Sequence, residues 1–261
     1  MSIALTNVDL RHALTAWRFN FDNYRSKWRT EILAALIEPV VSFFALAFGV
    51  ARLVGKLESG ISYATFISAA VLAFNVMTVV FIEMSYGAFN RLEWDEVYAK
   101  WMESGISAES AAFGDLLWGV TKSLVQGVFV FVLIVIFRMT DSAMAPLAFI
   151  PLIIGGFLVG AAALAVTALI RNADNIKFLQ SVFFSSVMFC GLWFPIDLFP
   201  KWLQTVLAFI PLTVIIKLVR ETFTQQFSPY VWLEIGFLVL LAIVAIELAL
   251  RSVRRRFATE K

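Results

Sequence analysis

Two residue types that carry much of protein chemistry are nearly missing from this chain of 261 residues, which holds one cysteine, Cys190, and one histidine, His12. A single cysteine excludes an intrachain disulfide and supplies no thiolate cluster for a metal. A single histidine argues against imidazole-based catalysis. The sequence has no GxxxxGK(S/T), so the chain does not cradle a nucleoside triphosphate in the P-loop manner. GxSxG and HExxH are absent as well, as is any Cys/His metal pattern. Met1–Asn7 lacks the basic, apolar and small-residue succession of a removable signal, so the N-terminus is expected to be kept.

Charge is also scarce, at 15% of residues, while 61% are hydrophobic and the mean hydropathy is +0.84. Such a composition marks an all-α membrane protein rather than a soluble domain. A hydrocarbon core about 30 Å thick needs about 20 apolar helical residues. Six runs meet that length: Ile32–Val54, Ser62–Tyr86, Leu116–Phe137, Leu147–Ile170, Phe178–Ile196 and Tyr230–Leu250. Before the last, residues 197–223 contain the apolar but short Trp202–Ile216, bounded by Pro195, Pro200 and Pro211, which predicts a re-entrant or interfacial helix pair. One transmembrane domain over 1–261 is the expectation.

Residues 8–30 place Leu10, Leu14, Trp17, Phe21, Tyr24 and Trp28 on one helical face, with Arg11, Arg18, Arg25, Lys27 and Arg29 off it and Asp9 as the N-cap. This suits a helix lying in the headgroup plane, or an amphipathic helix packed on its own protein. With the N-terminus inside, inner segments carry fourteen Lys and Arg and outer segments six, with Lys122 inside a span. That asymmetry predicts both termini in the cytoplasm. Arg254, Arg255 and Arg256 then read as an inside-retention signal touching lipid headgroups, not as a nucleic-acid site.

The longest stretch unsuited to hydrocarbon is Gly87–Asp115, with six carboxylates against Arg91 and Lys100. It falls on the cytoplasmic side. Within the spans, Glu38, Asn75, Glu83 and Lys122 are the polar candidates for a pathway. Glu83 and Lys122 lie close enough to the same boundary to pair, either as a static brace or as a proton relay. Gly155, Gly156 and Gly160 allow close helix approach, at a dimer face or within the chain.

The central segment carries a resemblance. Span two ends in Met77-Thr-Val-Val-Phe-Ile-Glu83 and continues through Tyr86, Phe89, Arg91 and Glu93; Ser104-Gly105-Ile-Ser107 follows, then Gly114-Asp-Leu-Leu-Trp118 and Lys122. Together with Glu38-Pro39, Gly49, the motif Pro195-Ile-Asp197-Leu-Phe-Pro200, Pro211-Leu212 and Arg220, this is similar to the membrane subunit of type-two ABC exporters, most closely the NodJ-like branch associated with polysaccharide and lipo-oligosaccharide export. The resemblance covers nearly the whole chain in order.

It implies a bacterial cytoplasmic-membrane permease that pairs with a second permease copy and with two copies of a separate ATP-binding subunit. ATP and magnesium would be bound there, and this chain would hold no cofactor. Residues 91–105 would be a coupling helix whose Arg91, Glu93, Trp94, Glu96, Tyr98, Trp101, Glu103 and Gly105 dock on the ATPase. The cargo would be a lipid-linked oligosaccharide or another amphipathic compound. An ion-coupled transporter and a drug-efflux permease are the alternatives, although no repeat of interrupted helices favours the former.

Overall fold

A computed structural model describes residues 4–27, 29, 37, 40–41, 44–50, 54–57 and 60–258. Among them the chain is helical, with no strand and one isolated antiparallel bridge between Lys56 and Ser62. A short 3-10 turn, Ala4–Asn7, leads into α1, Leu10–Ser26. Asp9 caps α1 as its sequence position predicts, accepting from the backbone N–H of Arg11 at 2.8 Å and of His12 at 3.4 Å. Then come α2, Tyr63–Ile82, and two π-helical extensions, Glu83–Gly87 and Asn90–Trp94. A short α3, Val97–Glu103, precedes α4, Ala108–Ile136, which Ser107 caps.

The second half holds α5, Phe149–Thr167; α6, Ala173–Phe189; α7, Lys201–Ala208; α8, Pro211–Thr224; and α9, Val231–Ala258. Among the described residues four helices are long and apolar enough to cross a membrane: α2 with its extensions, α4, α5 with its leading 3-10 turn, and α9. The pair α7 and α8 bends by 87° and makes a fifth if taken as one span. The expected span 32–54 lies mostly outside the described residues, as do Glu38 and Pro39. The expected span 178–196 is α6, only 17 residues long and ending before Cys190.

Helix ends differ from the hydropathy boundaries for a physical reason. The third span begins at Ala108 rather than Leu116, and the last continues to Ala258 rather than Leu250, because ion pairs and caps stabilise turns that hydropathy cannot see. The expected coupling helix, residues 91–105, is likewise two pieces. Arg91–Trp94 completes the α2 rod, and only Val97–Glu103 is a separate helix, parted from it by Glu96 in the left-handed region at φ 51°. A left-handed non-glycine residue interrupts helical hydrogen bonding, which turns the chain there.

Helix α2 is the central rod, contacting α4, α5 and α8, while α9 lies along α5. Small residues set the spacing. A Cβ on Gly160 would sit 2.8 Å from Val80 and 2.9 Å from Leu116, and one on Gly155 would sit 2.7 Å from Ile215. These glycines therefore serve packing inside the chain. In α1 the seam is narrower than the aromatic stripe suggests: Ala13, Ala16 and Asn20 are buried, and a Cβ on Gly114 of α4 would lie 2.2 Å from the Ala13 carbonyl oxygen. Leu10, Leu14 and Phe21 remain exposed beside that seam.

Candidate functional site

The C-terminal end of the α2 rod and the N-terminal end of α4 converge with α1 and α3 on one buried charged cluster. Isolated charge in an apolar interior is costly, so a stable arrangement must pair every ion. Arg91 does this from the end of the α2 rod: its Nη1 donates to Glu83 Oε1 at 2.8 Å, and its Nε lies 2.9 Å from Asp115 Oδ1. Lys122 Nζ reaches the second oxygen of Glu83, also at 2.8 Å. Two carboxylates and two cations thus neutralise one another.

Neutral donors complete the cluster. Tyr98 of α3 donates its hydroxyl to Asp115 Oδ2 at 2.9 Å, and Asn20 of α1 donates its amide to Asp115 Oδ1 at 3.0 Å. Nearby, Trp17 Nε1 donates to Thr121 Oγ1 at 3.1 Å. Burial, reinforced by the Asp115 carboxylate, pushes the Tyr98 phenol well above its ordinary value, so it stays a donor at neutral pH. Gly87 supplies room, since a Cβ there would lie 3.0 Å from Glu83 Oε1. A fixed network therefore joins α1, both helical pieces of residues 91–105, α2 and α4.

The other side of the coupling segment is open. Trp94 is 58% exposed, and Glu96, Glu103 and Gly105 are exposed with it, whereas Glu93 is half-buried. Tyr98 and Trp101 are buried, which corrects the expectation that both face a partner. Tyr98 is consumed by Asp115, and Trp101 meets Phe19 edge-on at 5.6 Å and Tyr98 at 5.2 Å. A cavity of about 950 Å³ opens between α1 and the coupling segment, lined among others by Tyr24, Trp94, Lys100, Trp101 and Trp118.

At the opposite end, Arg220 ties the α7–α8 hairpin down. Its Nη2 donates to the Gly191 carbonyl at 2.9 Å, and its guanidinium lies 3.6 Å from the centroid of Phe66 on α2. Lys217 bridges to Glu234 on α9. Pro200 and Pro211 open α7 and α8, Pro195 starts the preceding 3-10 turn, and Asp197 is exposed within that turn. Asn75 is buried in α2, and its Oδ1 has no hydrogen-bond partner among the described residues.

Residues that the sequence reading did not single out hold the cluster together, above all Asp115 and Asn20. A signal was present for Asp115, an acid seven residues before Lys122 and hence on the same face of one helix. None was present for Asn20, whose partner lies 95 positions away. Arg256 overturns its expected headgroup role: it is 5% exposed and donates through Nη1 to the carbonyls of Ala168 at 3.1 Å and Ile170 at 2.9 Å.

Comparison with known proteins agrees with this architecture. The chain is 29% identical over 245 residues to nodulation protein J of Rhizobium leguminosarum bv. viciae, covering 93% of this chain and 94% of that one. It is 26% identical over 244 residues to nodulation protein J of Sinorhizobium fredii, with 93% of each chain covered, and 25% identical over 241 residues to that of Bradyrhizobium diazoefficiens, with 92% of each covered. Residues 12–224 match the ABC-2 type transporter family, and the chain belongs to that family.

Proposed function

We propose that this chain is the membrane subunit of an ATP-driven exporter, working as a permease dimer with two copies of a separate ATP-binding subunit. The observation that carries the reading is the double ion pair of Arg91 with Glu83 and Asp115. It fastens the exposed surface of Trp94, Glu96 and Glu103 to the ends of two span-length helices. A push on that surface cannot be absorbed by a loose loop; it is passed to α2 and α4 as a rigid-body displacement. The absence of a P-loop from the sequence fits an energy source on another chain.

The cargo in this reading is a lipid-linked oligosaccharide or polysaccharide, or an amphipathic compound of that kind. Its support is the nodulation protein J relatives and the breadth of apolar surface, not an identified sugar site. Both termini lie in the cytoplasm of a bacterial inner membrane, and α1 rests its exposed Leu10, Leu14 and Phe21 on the lipid surface.

Purification of the tagged chain in mild detergent from its native membrane, with mass spectrometry and an ATPase assay, tests this. A stoichiometric P-loop subunit, lost when residues 91–105 are replaced by a flexible linker, is the expected result. Recovery of the chain alone, with no ATPase activity in any mild detergent, would sink the exporter reading.

A further inference from the structure

The last turns of α9 touch each cytoplasmic element in succession. Glu247 accepts from the backbone N–H of Ala4 at 2.7 Å and Leu5 at 3.0 Å, and Arg251 Nε holds it at 2.6 Å. One turn further on, Arg254 lies 3.3 Å from Glu109 at the start of α4. Arg256 then does two things at once: Nη1 caps the carbonyl end of α5 through Ala168 and Ile170, and Nη2 pairs with Glu93 of the coupling segment. The next residue, Phe257, stacks on Tyr98 of α3 at 6.1 Å with planes 10° apart.

We propose that this C-terminal turn is a strut that sets the height and angle of the coupling segment, with Arg256 as its positioning residue. The inference rests on the exporter reading for its purpose, but its geometry stands apart from it. Only a guanidinium suits the position, because one planar fork must serve two carbonyls and a carboxylate in different directions. The carbonyls lie at and just beyond the C-terminal end of α5, where acceptors lack intrahelical partners and a cation is favoured by the helix dipole. Through Arg256, a displacement of Glu93 is transmitted by polar contacts to α5 and α9, to which the ion pairs of Arg91 with Glu83 and Asp115 do not extend. Arg91 thus drives α2 and α4, and Arg256 drives α5 and α9.

The test uses the detergent-purified full chain, alone and with its co-purifying ATP-binding subunit. Amide hydrogen exchange at residues 90–106 and ATP hydrolysis by the complex are both measured. Arg256→Ala should raise exchange at 90–106 at least tenfold while exchange in the middle of α2 is unchanged, and should lower ATP hydrolysis by the complex severalfold. Arg256→Lys should rescue neither fully. Glu93→Gln, which removes the charge of the partly exposed partner but keeps an acceptor there, should raise exchange in the same window, and adding it to Arg256→Ala should have no further effect.

Unchanged exchange at 90–106 in both Arg256→Ala and Glu93→Gln overturns the strut and leaves the exporter reading intact. If no ATP-binding subunit accompanies the wild-type chain, the exporter reading fails instead, and exchange in the isolated chain still decides the strut.

Discussion

Lys122 and Glu83 stand 39 positions apart and meet at 2.8 Å, where Glu83 is shared with Arg91. The sharing has the geometry that the static-brace reading expects. Each oxygen of the carboxylate faces one cation, Oε1 the Arg91 Nη1 at 2.8 Å and Oε2 the Lys122 Nζ at 2.8 Å.

Removing that charge takes a carboxylate partner from two cations at once, with Arg91 keeping Asp115. Glu83→Gln should therefore destabilise the protein by about 3–5 kcal/mol, the usual cost of breaking a buried ion pair from one side. Thermal unfolding in detergent measures it. Pairing the change with Lys122→Met should recover part of the loss, and an unchanged midpoint for the single variant would show that the cluster is not holding the helix ends.

Gly114 lets α1 lie against α4, since a Cβ there would come within 2.2 Å of the Ala13 carbonyl. Gly114→Ala should lift α1 off its seam at a cost of about 1–3 kcal/mol. Faster amide exchange across Leu10–Ser26, with α5 unaffected, is the expected signature. Equal exchange in variant and wild type would mean that α1 is held by Trp17 and Asn20 alone.

The two faces of the coupling segment should separate in mutagenesis. Trp94→Ala and Glu96→Ala remove exposed groups and should leave the unfolding midpoint within a degree or so, while reducing ATPase activity of the complex severalfold. Trp101→Ala should instead cost about 3 kcal/mol in stability, as buried aromatic truncations do. Stability loss at Trp94 matching that at Trp101 would contradict the assignment of faces.

Asp9 supplies a pH test. Backbone donation from Arg11 holds its carboxyl below the ordinary aspartate range, offset in part by desolvation. A depressed folded-state pKa gives a contribution that is present above the unfolded value of about 4 and lost as pH falls through the folded one. The first turn of α1 should accordingly gain exchange below about pH 4. Asp9→Asn, which caps without ionising, should remove that dependence, and a variant with the same acid sensitivity as wild type would assign it to another group.

Arg220 anchors the far side by a hydrogen bond to Gly191 and by its position over Phe66. Arg220→Ala should lower stability by about 2 kcal/mol, combining the lost charged hydrogen bond with the lost aromatic contact. Thermal unfolding and protease sensitivity of residues 191–210 check it. Resistance to protease equal to wild type would place the hairpin's anchor elsewhere, for example at Lys217 and Glu234.

Much of the architecture was legible because membrane helices are written in composition. Apolar length marked α2, α4, α5 and α9, prolines marked the break that became the 87° bend of α7 and α8, and Asp9 marked the start of α1. The pairing of Glu83 with Lys122 was legible too, because both charges had to lie near one boundary and charge in an apolar layer needs a partner. Tyr98 and Trp101 were misplaced, since an aromatic residue on a polar segment looks the same in sequence whether it faces outward or inward.

By itself, then, the sequence determined the kind of protein, its four long apolar helices among the described residues and its polar central segment, because the cost of exposing backbone and charge to hydrocarbon acts locally along the chain. Only the tertiary structure decided which face of that segment is free, that Gly155 and Gly160 pack internally, that Asn20 reaches Asp115, and that Arg256 is buried against Glu93 and the end of α5. Those outcomes depend on contacts between residues up to 163 positions apart, as 256 is from 93, and no local pattern specifies which distant carboxylate or carbonyl will stand opposite a given side chain.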